Sequence, residues 1–387
     1  MNNTILVKII TDRILKSPQK SITFADYLNL VLYHPQQGYY TSGAVDIGKT
    51  GDFFTSVSLG NDLGELLAEQ FIEMWQNLGS PSRFTLLEMG AGLGLLAGDI
   101  LNYLQMKDPD FFACLEYIIV EKSPALIDRQ KEKLSNFVND KFNISWQSWE
   151  TIADASIVGC CFSNELLDAF PVHRVTIDGN KLKEIYITYK SGELKEKIDE
   201  ISTKNIEAYF NFVDIDFSKN NYPYKYLTEV NLAALTWLET ISKKLDRGYL
   251  LTIDYGYAAE KYYHPQRSQG TLKCYYQHQH HHNPYINIGR QDITSHVDFT
   301  ALQKQGKLCG LPTIGFTKQG LFLMALGLGD RLNRLSDSGY SVPEIMQRRD
   351  ALHQLIDPTG LGGFGVLIQG KNLTESQQKL TGLLTQF

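Results

Sequence analysis

Glu88, Gly90, Gly92 and Gly94, within LLEMGAGLGLLAGDIL at residues 86–101, have the types and spacing to hold part of a nucleotide. Apolar residues run into the glutamate, three glycines alternate, and a helical pattern of leucine and isoleucine follows. That order reads as strand, tight turn and helix N-terminus. Without a Cβ, glycine lets the backbone turn sharply and lie directly against a ligand.

The spacing fits two nucleotides. Counted from Gly92, GLGLLA matches G-x-G-x-x-[G/A], in which a dinucleotide pyrophosphate sits on the helix N-terminus. Counted from Glu88, it is E-x-G-x-G-x-G, the spacing of S-adenosylmethionine (AdoMet) sites. AdoMet carries no phosphate, and its amino-acid end bears an ammonium group beside a sulfonium. A carboxylate at the strand tip suits that cationic end and repels a pyrophosphate, so Glu88 favours AdoMet over NAD. The next strand, EYIIVEKSP, ends in Glu121, where an acid accepts ribose hydroxyl hydrogen bonds from either ligand.

The third candidate group is SNELLDAFPV, after a further strand. Asn164 and Glu165 stand at the strand's carboxyl end, where open α/β sheets bind ligands. Asp168 is expected one helical turn on, facing the same side as Glu165. Two carboxylates beside a methyl donor suit a cationic acceptor. A guanidinium matches best, because its planar fork pairs bidentately with a carboxylate.

These residues need elements to position them. From Phe84 the chain alternates apolar strands (FTLLEM, EYIIV, FNISWQ, SIVGCCFSNE, GYLLTIDYG) with helical stretches, among them PALIDRQKEKLSNFV and NLAALTWLETISKKL. TIGFTKQ and GFGVLIQGK complete the pattern around a helical region. Apolar strands separated by helices imply an α/β fold with a doubly wound, mostly parallel sheet. Residues 172 to about 226 interrupt that rhythm as an insertion: HRVTIDGNKLKEIYITYK is a hairpin around Asp178 and Gly179, and polar, irregular chain follows. Residues 1–80 read as an N-terminal helical region. Ile5, Ile9, Ile10 and Ile14 suit one helix face, Thr23 caps a helix closed by Pro35, and SLGNDLGELLAEQFIEMWQNLG is an amphipathic helix ending at Gly79. Between them HPQQGYYTSGAVDIGKTGDFFTS is too long for an ordinary connector and reads as a lid. The expected division is therefore 1–80 and 81–387.

Taken in order, GDFFTSVSLGNDLGELLAEQF, LLEMGAGLGLLAGDIL, FSNELLDAFPVHRV, LLTIDYGY, GTLKCYYQHQ and QDITSHVDFTAL resemble the MidA family, the mitochondrial complex I assembly methyltransferases and their bacterial relatives. The resemblance runs from about Ile22 to Leu302. It implies a Rossmann-like class I AdoMet-dependent methyltransferase that acts on an arginine of a protein, such as a complex I-type subunit. It places Glu88, Gly90, Gly92 and Gly94 on the AdoMet loop and Glu121 on the ribose acid. It also places Gly51, Asp52, Phe53, Thr55 and Ser56 on a loop over the donor, and Asn164, Glu165 and Asp168 on the catalytic stretch. The chain departs from the family's usual residues at Val57, where Pro is usual, and at Gly90-Ala91-Gly92-Leu93-Gly94, where the usual run is Gly-Pro-Gly-Arg-Gly.

Composition narrows the partners. The 387 residues are 43% hydrophobic with a net charge of −6, so neither a nucleic-acid groove nor an anionic membrane surface is expected. No apolar run reaches the length of a membrane span, and the N-terminus has no signal-peptide core, so a cytoplasmic protein is expected. Five cysteines without a CxxC read as reduced, mostly buried thiols. The histidines of QHQHHHN (277–283) are too closely spaced to converge on one ion, and no metal is expected. A nicotinamide oxidoreductase, a non-catalytic AdoMet-binding assembly factor and a small-molecule methyltransferase are the rival readings.

Overall fold

The structure, a computed structural model, describes residues 2–42, 56–138, 142–178, 181–218, 222–277, 279–335 and 341–384. It divides into two compact units. One comprises Thr55–Leu166, Glu239–Tyr255 and Gly306–Phe387; the other comprises Met1–Phe54, Leu167–Leu238 and Gly256–Gln305. The expected division at residue 80 is not the one the contacts make. The N-terminal residues fold with the insertion, whereas the helix Asp62–Asn77 belongs with the glycine turn.

The first unit is built on seven strands: β1 (Phe84–Met89), β2 (Leu115–Val120), β3 (Asn143–Trp146), β4 (Ile157–Asn164), β5 (Leu245–Asp254), β6 (Thr313–Lys318) and β7 (Gly365–Lys371). Their order is β6-β7-β5-β4-β1-β2-β3. β1 to β5 run parallel, and β7 lies antiparallel between β5 and β6. β1 and β2 are buried along their whole length, which is why they read as unbroken apolar runs rather than alternations. The chain moves from β1 toward β3 on one side and from β4 to β5 on the other. The order therefore reverses between β1 and β4, and a ligand crevice opens at such a point beyond the strands' carboxyl ends. The amphipathic helix Asp62–Asn77 packs on this sheet, with the Phe71 ring 5.0 Å from that of Phe162 on β4.

The other unit holds a five-stranded antiparallel sheet. His173–Asp178 and Lys181–Lys190 form the expected hairpin, with Asp178 opposite Lys181. The chain after it is not irregular. Glu193–Asp199 pairs with Lys181–Lys190 as a further strand, and Lys204–Phe212 is a helix. The N-terminal helix Thr4–Lys16 buries Leu6, Ile10 and Ile14, one stripe at four-residue spacing, while Ile5 is 59% exposed. The stripe begins at Leu6 rather than Ile5. Thr23 caps the helix Phe24–Tyr33 as expected, its Oγ1 accepting from the Asp26 N–H at 3.0 Å.

All five cysteines are free, with Cys160, Cys161 and Cys274 buried. Among the described residues no helix is long and apolar enough to cross a membrane.

Candidate active site at the switch point of the sheet

Three left-handed glycines form the turn after β1: Gly90, Gly92 and Gly94 have φ of +70°, +54° and +75°. Gly90 donates its N–H to the Val120 carbonyl at 3.1 Å, fastening the turn to the end of β2. A Cβ at Gly90 would stand 2.7 Å from Leu166 Cδ1. The glycine turn and the turn after β4 thus lie against each other, and the left-handed φ of Gly90 favours glycine there. Gly94 leads into the helix Leu95–Lys107 with no side-chain cap.

The carboxyl of Glu88 lies inside the end of β1, 3% exposed, and accepts a 2.7 Å hydrogen bond from the Tyr117 hydroxyl. Burial pushes its pKa up to about 7; the Tyr117 bond opposes that rise and the charge of Glu121 adds to it. An unpaired buried carboxylate awaiting a cation would have this property. Glu121 follows β2. Its Oε1 accepts from the Lys122 and Ser123 N–H groups at 2.8 and 2.9 Å, and its Oε2 accepts from Gln130 Nε2 at 3.3 Å. Burial raises its pKa, and those bonds oppose the rise. Oε2 retains a lone pair for a ligand hydroxyl.

At the tip of β4, Glu165 holds φ of +51°, a left-handed conformation uncommon for a residue with a Cβ. Its N–H donates to the Ile253 carbonyl of β5 at 2.9 Å. Its Oε1 accepts from Ser56 Oγ at 2.7 Å, Ser56 N at 3.1 Å and Asn164 Nδ2 at 3.2 Å. Asn164 Nδ2 also lies 3.3 Å from Ser56 Oγ. Burial raises the pKa of Glu165 against the pull of these donors. Among the described residues, Oε2 of the same carboxylate makes no hydrogen bond.

The structure therefore brings Ser56, Asn164 and Glu165 together. The left-handed backbone at Glu165 breaks the helical turn on which the expected pairing rested. Asp168 lies in the short 3-10 turn Leu167–Ala169, belongs to the antiparallel-sheet unit, and accepts from the Ser295 N–H through its backbone carbonyl at 2.8 Å. Gly51, Asp52, Phe53 and Thr55 lie outside the described residues, as does His278. Among the described residues no group of His, Cys, Asp and Glu converges as a metal would need.

Three residues escaped the sequence reading. Asp254, at the end of β5, is fully buried and accepts from the Leu166 N–H at 3.2 Å and the Tyr255 N–H at 2.8 Å, holding the turn after Glu165. Gln130 and Trp146 join the glycine turn to Glu121. A signal existed for Gln130: it interrupts the buried stripe Leu126–Gln130–Leu134 with a polar side chain.

The arrangement fits AdoMet. The glycine turn runs through left-handed Gly90, Gly92 and Gly94, and two carboxyl groups end neighbouring strands. Asn164 Oδ1 and Ser163 Oγ are buried without a hydrogen-bond partner among the described residues, acceptors a ligand's donors could satisfy.

Comparison with known proteins decides the class. Residues 66–317, well over half of the chain, match the model of a family described as "Putative S-adenosyl-L-methionine-dependent methyltransferase". The chain belongs to this methyltransferase family. Among curated proteins it is similar to the mitochondrial "Protein arginine methyltransferase NDUFAF7 homolog" of Drosophila melanogaster, 27% identical, covering 88% of this chain and 79% of the fly protein. The Homo sapiens protein of that name is also 27% identical, over 88% of this chain and 78% of its own. A solved structure from Burkholderia thailandensis, described as a "likely methyl transferase" and bound to S-adenosyl-homocysteine, superposes with a TM-score of 0.84 at 27% identity, covering 98% of this chain and 94% of that one. The methyltransferase family fixes AdoMet as the cofactor and a Rossmann-like fold as the scaffold.

Proposed function

We propose that this methyltransferase transfers a methyl group to a guanidinium nitrogen of a protein arginine, with Glu165 holding the acceptor. The observation that carries the reading is the divided carboxylate of Glu165. One oxygen is held by Ser56 and Asn164, and the other makes no hydrogen bond among the described residues. Such a group is aimed rather than mobile, and a guanidinium N–H satisfies the open oxygen. The names of the similar fly and human proteins support the same acceptor class.

AdoMet supplies an electrophilic methyl group on its sulfonium. Glu88 receives the ammonium end, Glu121 a ribose hydroxyl, and the glycine turn the ligand's length. Glu165 orients one guanidinium nitrogen toward the methyl carbon. As the N–C bond forms, the C–S electron pair returns to sulfur and the nitrogen sheds a proton, which the raised pKa of Glu165 equips it to take up. Little covalent work falls to the protein, so positioning supplies most of the rate. The family resemblance assigns Gly51, Asp52, Phe53 and Thr55, which lie outside the described residues, to the donor-side loop. A complex I-type subunit is the acceptor that the family resemblance supplies, and the cytoplasm is the proposed compartment.

The test is incubation of the chain with methyl-labelled AdoMet and a cell lysate, followed by hydrolysis of the labelled protein. Label in methylarginine is the expected result. AdoMet binding without transfer to any protein would make the chain a binding factor instead, and label confined to small molecules would overturn the protein acceptor.

A further inference from the structure

Gln130 is fully buried on the helix Pro124–Lys133, yet none of its polar atoms is idle. Trp146 Nε1, at the end of β3, lies 2.8 Å from its Oε1. An indole N–H can only donate, so the oxygen of the amide must face Trp146 and the NH2 must face away. Its two protons then meet two acceptors, the Gly92 carbonyl at 2.8 Å and Glu121 Oε2 at 3.3 Å. One side chain thus ties together the turn after β1, the acid after β2 and the end of β3.

We infer that Gln130 is a positioning residue for AdoMet, oriented by Trp146 and acting through Gly92 and Glu121. The inference rests on the placement of AdoMet at the glycine turn. Because the peptide is planar and trans, holding the Gly92 carbonyl fixes the Leu93 N–H in the opposite direction. The turn is thereby set before any ligand arrives. The second proton of the amide turns the Glu121 carboxylate so that its remaining lone pair has one direction. A Cβ at Gly94 would stand 3.5 Å from Gln130 Cα, an ordinary van der Waals contact, so the helix carrying Gln130 packs directly beside the turn. Trp146 carries the choice one step further: without its N–H the amide could flip and present oxygen to two other oxygens.

Three variants test this by calorimetric titration with AdoMet and with S-adenosylhomocysteine. Gln130→Met keeps length and apolar packing but donates nothing. It should weaken both ligands by about tenfold or more, the cost of two lost donors to a preorganised site. Gln130→Glu, which sets an acceptor against the Gly92 carbonyl and Glu121, should bind at least as weakly as Gln130→Met. Trp146→Phe keeps an aromatic ring on the strand but loses the indole N–H along with part of the ring's volume, and should lose about three- to tenfold. The double variant Gln130→Met/Trp146→Phe should bind no worse than Gln130→Met alone, because Trp146 acts only through the amide. In the wild type the Trp146 indole 15N–1H resonance should shift on adding AdoMet. Wild-type affinity in Gln130→Met, with a lowered melting temperature, would make Gln130 a packing residue and overturn the inference. Should that variant fail to fold, unchanged affinity in Trp146→Phe overturns it equally. Wild-type AdoMet affinity in both Glu121→Ala and Gly92→Val would instead remove AdoMet from the glycine turn.

Discussion

Glu88 links the identity of the nucleotide to a measurable titration. In the free protein its pKa is pushed up to about 7, and pairing with an ammonium requires the carboxylate. Binding of AdoMet should therefore release a proton below that pH. Affinity should rise as pH increases to about 7, level off, and fall again as the ligand's amino group deprotonates near about pH 8. Calorimetry in buffers of different ionisation heat checks this; Glu88→Gln should flatten the acid limb, and a wild-type affinity flat below neutrality would contradict the pairing. The same elevation has a consequence for stability. The unfolded carboxyl ionises near its ordinary 4.5, so the ligand-free fold should lose stability as pH rises from there toward about 7. Glu121→Ala should weaken AdoMet by about 1–3 kcal/mol by removing a charged acceptor. The sequence placed Glu88, Glu121, Asn164 and Glu165 at the ends of apolar strands, and the structure has them there. The left-handed backbone at Glu165, which stands in place of the helical turn expected to lead to Asp168, leaves no trace in the letters. Gln130 and Trp146 were hidden because an amide and an indole on separate elements match no motif.

At the scale of elements, the strand–glycine turn–helix unit is the part that tolerates least change. Gly92 sits at φ of +54°, where a β-branched residue is strongly disfavoured. Gly92→Val should abolish AdoMet binding, and calorimetry showing unchanged affinity would remove the turn from the site. Alternation of apolar strands with helices was readable because β1, β2 and β4 are buried on both faces. The place of β7, antiparallel between β5 and β6, was not, since pairing order depends on contacts far apart in sequence. The strand Glu193–Asp199 was missed for a different reason. It pairs with Lys181–Lys190, and its sequence ELKEKID carries charges at five of seven positions. Charged residues, lysine above all, protect a strand edge from unwanted pairing while erasing its apolar signal.

Across the whole molecule, the antiparallel-sheet unit is inserted mainly between β4 and β5, directly after the turn that carries Glu165. Sequence located the interruption at residue 172 by its change of rhythm. It could not show that the N-terminal 54 residues join the same unit, because that association lies in packing and in the pairing of Ser21–Thr23 with Lys181–Lys190. Ligand binding should stabilise the seven-stranded unit: AdoMet at 100 times its Kd contributes about 2.7 kcal/mol, or roughly 5–10 °C in melting temperature. Calorimetric scans with and without AdoMet check this, and an unmoved transition would contradict binding there. The most direct test of the account as a whole is Glu165→Gln, because glutamine keeps the shape and one acceptor but loses the charge. With the labelled acceptor protein in hand, AdoMet affinity should stay near wild type while the rate of methyl transfer falls at least about tenfold, the signature of an interaction made in the transition state. Methyl transfer at the wild-type rate by Glu165→Gln would contradict the role given to this carboxylate, and with it the assignment of arginine as the acceptor.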